Sequence, residues 1–280
     1  MKRSLLACLF ALCLPSESPA GDVTSVYLQG QAETSKSDGA NTNKVYVSQI
    51  WDDAILNDLR LIKILQKYNA KATFAVDAGD LTEQRQTNVW VVGGTPFGKV
   101  SIDDIKTIYS EFEIASHGLT HKALPGLSAA EMKREVVDSK QLLESWLGRP
   151  IKGFVYPGCL YDDPAKKAVQ AAGYLWARTC ENTPDFCPVA DPMTMRTTVA
   201  FNAPDFWQEF KRIKAKGGVF IFWGHAFFRT EAEWSDIEAK IARLSQDPSV
   251  VWVNTSDLFD PLKGFCPPLV NPVYSHKRIQ

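Results

Sequence analysis

Seven short apolar runs punctuate the chain: KVYVSQIW (44–51), KATFAVD (71–77), EIAS (113–116), GFVY (153–156), YLWAR (174–178), VFIFW (219–223) and VVWVN (250–254). Each is rich in Val, Ile, Phe, Tyr and Trp and short enough for a strand buried on both faces. Between them lie longer stretches whose apolar residues recur every three to four positions, the pattern of amphipathic helices. Strand, helix and strand in one sheet require a right-handed crossover and therefore parallel strands. Seven such units predict an α/β barrel in preference to an open sheet, with the chemistry gathered where the strands end.

The helices carry their own punctuation. Ser128-x-x-Glu131 is a capping box opening a long helix that Gly148 closes, and Asp163-Pro164 supplies an N-cap and first-turn proline to a helix closed by Gly173. Trp234, Ile237, Ile241 and Leu244 recur at helical spacing and are expected in the core. There is no internal repeat and no second core, so one folded domain is expected over 44–262, after an arm (21–43) and before a Pro-rich tail (263–280).

The first twenty residues have the layout of a secretory signal peptide: Lys2 and Arg3, an apolar run from Leu5 to Leu14, then Ser18-Pro19-Ala20. Cleavage is expected after Ala20, and the run is too short to span a bilayer. Leu5-Leu6-Ala7-Cys8 offers a lipoprotein box as the alternative, although little apolar sequence precedes Cys8. A secreted or periplasmic protein is the expectation. Lys and Arg total 31 against 32 Asp and Glu, which leaves no basic stripe to follow a phosphate backbone and excludes nucleic acid as the expected partner.

Cleavage removes Cys8 and Cys13 and leaves Cys159, Cys180, Cys187 and Cys266, an even set for an oxidising compartment. Three pairings are open to them. Cys180 with Cys187, bracketing the loop ENTPDF, is the expected one, and Cys159 with Cys266 follows by elimination. Zinc held by thiolates would want a C-x-x-C spacing, which is lacking.

The residues just after the strand runs are where catalysis is expected. Asp52 and Asp53 follow the first run, His117 and His121 the third, YPGCLYD the fourth and His225 the sixth. Three of the four histidines thus fall at strand ends, with His276 apart from them. His-x-x-x-His lets two imidazoles converge on one cation, and a carboxylate supplies a third ligand with a position left for water. Two adjacent carboxylates repel each other, and a cation beside them relieves that repulsion. Asp53 is then the ligand, while Asp52 is free to take a proton from the bound water.

At these positions the chain resembles the polysaccharide deacetylases of the NodB-homology type, carbohydrate esterase family 4. The family's Thr-Phe-Asp-Asp-Gly motif is similar to Ile50-Trp51-Asp52-Asp53-Ala54, its His-(Ser/Thr)-x-x-His motif to His117-Gly118-Leu119-Thr120-His121, and its Leu-x-x-His motif to Phe222-Trp223-Gly224-His225, over roughly 44–257. The resemblance implies a distorted, TIM-barrel-like (β/α)7 barrel and hydrolysis of acetyl groups on acetylated glycans. It implies Asp52 as general base, Asp53, His117 and His121 as ligands of a divalent metal, His225 as general acid, and a backbone N–H of Gly158 toward the oxyanion. Zinc is the expected ion, with cobalt, nickel or manganese able to serve.

The departures are specific. Ala54 stands in place of a glycine, tolerable if the turn keeps φ negative. The family's Arg-x-Pro motif, whose arginine steadies the base, reads Val155-Tyr156-Pro157, and Arg178 or Arg196 is expected to replace that arginine, Arg178 for its strand-end position. Asp191 and Asp257 are candidates for the acidic partner of His225. Tyr156, Tyr161, Trp223, Phe227 and Phe228 are the aromatics near the rim, and Tyr156 and Trp223 are the candidates for contact with sugar. The expected activity is removal of acetyl from N-acetylated, chitin-like or peptidoglycan-like polymers. An O-acetyl esterase on polysaccharide, or a carbohydrate-binding homologue without turnover, are the alternatives.

Overall fold

The computed structural model describes residues 43–187 and 189–265. The proposed signal peptide, nearly all of the arm, Cys266 and His276 lie outside the described residues.

A parallel sheet of strands β1 (Val45–Asp52), β2 (Thr73–Val76), β5 (Glu113–Ser116), β6 (Gly153–Val155), β7 (Trp176–Asn182), β8 (Met195–Thr197), β9 (Val199–Ala200) and β10 (Gly218–Gly224) curls into a nearly closed barrel. Its order is β8-β7-β6-β5-β2-β1-β10-β9. β8 and β9 are two halves of one extended segment interrupted at Thr198, the first paired with β7 and the second with β10. At the interruption the Thr198 amide donates to Ile221 O and the Ile221 amide to Thr198 Oγ1. That segment closes the ring, which makes seven staves and the (β/α)7 barrel expected.

The seventh expected run is not a stave. β2 is short and meets β1 only from Ile50 to Asp52, so the lower edge of β1 is left open. β11 (Val250–Trp252) fills it, pairing with Val45–Val47. A second sheet is a hairpin of β3 (Gln86–Val92) and β4 (Thr95–Lys99) standing beside the barrel.

Helices α1 (Asp58–Lys67), α2 (Ile102–Thr107), α3 (Ala129–Lys133), α4 (Ser139–Leu147), α5 (Asp163–Ala171), α6 (Phe206–Lys216) and α7 (Glu231–Gln246) accompany the sheet. Ser128 and Glu131 form the expected capping box, and Gly148 ends α4 at φ 63°. Between α3 and α4 the run continues as a π turn over Arg134–Asp138. The cap of α5 lies one residue earlier than the sequence suggests: Asp162 accepts from the Ala165 amide, and Asp163 is already helical. α7 buries Trp234, Ile237, Ile241 and Leu244, as expected.

Side chains alternate across each strand. On β1, Val45, Val47 and Trp51 pack against the helices, whereas Ile50 joins Ala75, Trp176 and Ile221 in the barrel interior. Ser48 sits lower in the lumen, bonded to Thr255. That parity carries Asp52 into the mouth of the lumen, where Arg178, two residues after the interior Trp176, also points.

The cysteines correct the expected pairing. The disulfide joins Cys159 to Cys180, with Cα atoms 5.4 Å apart, not Cys180 to Cys187. β6 and β7 lie side by side with Val155 opposite Arg178, so the residues just beyond them come together. Because β7 runs on to Asn182, Cys180 is held in the sheet. Cys187 is disulfide-bonded as well. No helix among the described residues is long and apolar enough to cross a membrane.

Candidate active site

The two adjacent aspartates leave β1 in different directions. Asp52 continues the strand parity into the lumen, where its Oδ2 accepts from Arg178 Nη2 at 2.5 Å with both side chains almost wholly buried. Asp53 has φ 85° and Ala54 φ 49°, so the chain turns in the left-handed region at two non-glycine residues. The condition set above for tolerating Ala54, a negative φ, is therefore not met. The turn is held by backbone bonds from Asp53 N to Ala75 O and from Val100 N to Ala54 O, and by Lys99 Nζ on the Asp53 carbonyl at 2.6 Å.

Turned this way, Asp53 Oδ1 faces His117 Nε2 and His121 Nε2, each at 3.5 Å. The ligand atoms of these three residues lie within 4.8 Å of one another. His117 follows β5, and its Nδ1 is bonded to Val155 O at 2.8 Å, which assigns the proton there and leaves Nε2 with a lone pair. Burial pushes the His117 imidazole down to about 3 and holds His121 below its ordinary range. Burial, with Asp52 as neighbour, drives the Asp53 carboxyl well above its ordinary range. Asp53 Oδ1 is buried and has no hydrogen-bond partner. A divalent cation fits this set: it would give the orphaned oxygen a partner, favour the carboxylate and use two neutral imidazoles.

His225 follows β10 with its Nε2 3.6 Å from Asp53 Oδ2 and 3.8 Å from Asp52 Oδ2. Its ring stacks on Phe227 at 5.0 Å. Burial lowers its pKa, and the Asp52 charge opposes that. Neither candidate for its acidic partner is in place: Asp191 pairs with Lys166 and Asp257 with Lys263. The carboxylates nearest to His225 are the paired aspartates themselves.

Arg196 pairs with Glu181 on the surface, while Arg178 is buried between Asp52 and the Trp223 ring, 4.5 Å from its centroid. Gly158 lies exposed in the turn after β6 at φ 59°. Pro157 of that turn packs against the His117–His121 loop, 3.3 Å from where a Gly118 Cβ would stand.

Tyr156 is corrected as a sugar contact. It is 1% exposed, its hydroxyl donates to Met193 O, and Tyr161 stacks on it. Trp223 does line an open cleft of about 590 Å³ that includes His225, Phe227, Phe228 and Arg229. On the far side a cleft of about 460 Å³ is lined by His121, Trp90, Lys99 and Thr120.

Three groups at the site went unread in the sequence. Lys99 is buried, bonded to Asp77 Oδ2 at 2.5 Å and set over the face of Trp90. Burial lifts Asp77 to about 7 against the pull of Lys99. Trp90, from the hairpin, meets His121 edge-on at 5.0 Å. The signal for the hairpin was the Gly93-Gly94 pair between apolar runs. Glu135, in the π turn, accepts from the loop between the two imidazoles, and no local pattern marks it.

The barrel carries a carboxylate pair and a His-x-x-x-His loop at its mouth, and known proteins share this arrangement to a stated degree. Residues 39–177, which carry Asp52, Asp53, His117 and His121, match the family model for polysaccharide deacetylase. No curated protein matches it significantly. Among solved structures it is similar to a Streptococcus pyogenes deacetylase, PplD, in complex with acetate (24% identity, 48% of this chain and 55% of that one, TM-score 0.41). It is similar to the Xyl-CE4 domain of a multidomain xylanase from the hindgut metagenome of Trinervitermes trinervoides (16%, 79% and 91%, 0.50). It is also similar to a mutant, with restored enzymatic activity, of a CE4 family pseudoenzyme of Bacillus anthracis (18%, 78% and 69%, 0.50). The chain spans about half the length of the first of these.

Proposed function

We propose that this chain is a secreted, metal-dependent deacetylase that hydrolyses the acetamide of N-acetylated glycans, chitin-like or peptidoglycan-like. The observation that carries the reading is the division of the aspartate pair: Asp53 joins His117 and His121, Asp52 joins Arg178, and His225 reaches toward both. Binding alone gives no reason to assemble a base, an acid and a ligand set within one barrel mouth.

Asp53, His117 and His121 would hold the cation, zinc by the donor set. When bound, it would supply a Lewis acid for the acetyl oxygen and acidify a water. Asp52, oriented by Arg178, accepts the proton of the attacking water. Gly158 N–H serves as a donor for the developing oxyanion. His225 then gives its proton to the departing amine, which must be protonated to leave. Phe227, stacked on His225, limits where that ring can swing. Trp223 offers an apolar wall to the sugar beside His225.

A disulfide between Cys159 and Cys180 agrees with an oxidising compartment and supports secretion. The test is acetate release from a panel of N-acetylated and O-acetylated glycans, using protein stripped of metal and then supplied with zinc. Zinc-dependent release from N-acetylated members is expected. Release from O-acetylated members alone would assign the ester activity instead, and tight glycan binding without any release would assign the binding function.

A further inference from the structure

Both imidazoles of the triad hang on the loop Gly118–Thr120, which has no regular structure of its own. One carboxylate holds it. Glu135, 3% exposed, accepts the amides of Leu119 (2.8 Å) and Thr120 (2.9 Å) on Oε2 and the Thr120 hydroxyl (2.6 Å) on Oε1. Four residues on, Ser139 donates to the Gly118 carbonyl at 2.8 Å and shares a hydrogen bond with Ser116. Glu135 lies in the π turn Arg134–Asp138, an irregularity of a kind that concentrates at functional sites. The loop is cut to fit it: Gly118 has φ 80°, and a Cβ there would stand 2.9 Å from Glu135 Oε2. The loop ends at His121 with φ 54°, a left-handed conformation that disfavours a residue carrying a β-carbon. Three hydrogen bonds to the Glu135 side chain hold it there.

We propose that Glu135 is a positioning residue for the cation, fixing the loop so that His117 Nε2 and His121 Nε2 both face Asp53. This rests on the metal reading above. The hydrogen bonds of the Glu135 carboxyl go to Leu119 and Thr120 and not to the imidazoles, so it acts through the backbone that carries them.

The test uses Co²⁺ as the probe, titrated into the metal-free full chain by calorimetry, with the visible absorption of the bound ion recorded. Glu135→Gln keeps the shape and one acceptor oxygen for the two amides, but replaces the other oxygen by an NH₂, so that the Thr120 hydroxyl no longer donates and must turn to accept. It is expected to bind Co²⁺ about 10–100-fold more weakly and to change the cobalt spectrum, while the metal-free melting temperature stays within about 2 °C of wild type. Thr120→Val, which deletes one donor from a half-exposed residue, is expected to show the same effect at a few-fold size, and it carries the test should Glu135→Gln fail to fold. Wild-type affinity and spectrum in both variants would overturn the proposal. So would a loss of affinity accompanied by an equal loss of metal-free stability, which would make Glu135 merely structural. Wild type that binds no Co²⁺ would instead overturn the metal reading itself.

Discussion

Replacing Arg178 by methionine tests how Asp52, the proposed base, is held. The Arg178 and Asp52 side chains are 1% and 2% exposed and meet at 2.5 Å, so methionine leaves a carboxylate deep in the barrel without its guanidinium. Breaking a buried pair by removing one partner costs about 3–5 kcal/mol. For a domain of this size each kcal/mol moves the melting temperature by about 2–4 °C, which gives a fall of roughly 6–20 °C. Removing the charge from both partners, in Asp52→Asn with Arg178→Met, is expected to recover about 2 kcal/mol or more of that loss, because no buried carboxylate is then orphaned. Turnover should fall about 10²-fold in Arg178→Met through misplacement of the base, with KM little changed. The assays are urea denaturation of the metal-free proteins and acetate release by the zinc-loaded ones. A single mutant within about 1 kcal/mol of wild type, with unchanged kcat, would refute the reasoning.

Three further outcomes follow from the geometry. Asp58, bonded to Tyr109, is lifted by burial from 3.8 to about 8, so the native state keeps a proton that the unfolded chain gives up, and stability falls as pH rises from about 4 to 8. Asp58→Asn escapes that loss, and its urea midpoint should gain on wild type between pH 5 and pH 8; a constant difference would contradict this. Replacing Cys159 and Cys180 together by serine opens a loop of 21 residues and should cost about 3 kcal/mol in the same assay, and a loss below about 1 kcal/mol would count against the pairing. Gly153→Ala would bring a Cβ within 2.0 Å of the Trp176 indole, so destabilisation by about 1–3 kcal/mol is expected, and a neutral effect would mean that β6 and β7 lie otherwise.

Six of the seven staves were legible because short apolar runs bounded by turns depend on local composition, which a sequence displays. The closing segment Met195–Ala200 was not, since MRTTVA is neither uniformly apolar nor alternating, and its partners on β7 and β10 are distant in the chain. The run at 250–254 was a true strand whose place depended on how short β2 is. Asp52 ends β1, Asp53, His117 and His225 directly follow β1, β5 and β10, and His121 comes four residues after His117, so all five could be found from the strand ends, whereas Arg178, expected at a strand end, lies within β7, which runs on to Asn182. Tyr156 follows a strand too, yet it is buried, so position at a strand end locates a residue without fixing the direction of its side chain. Lys99 and Glu135 act through backbone carbonyls and amides elsewhere, and such contacts leave no spacing to read. The disulfide misled because the sequence brackets a loop between Cys180 and Cys187, whereas the register of β6 on β7 decides the partner.

The central claim is that two neighbouring aspartates do different work, and one measurement reads it: zinc content and acetate release determined together on wild type, Asp53→Ala and Asp52→Asn. Asp53→Ala is expected to lose both the metal and the activity. Asp52→Asn is expected to keep one zinc per chain and to lose turnover by about 10²–10⁴, the worth of a positioned base. Zinc retained by Asp53→Ala, or full activity in Asp52→Asn, would contradict the assignment.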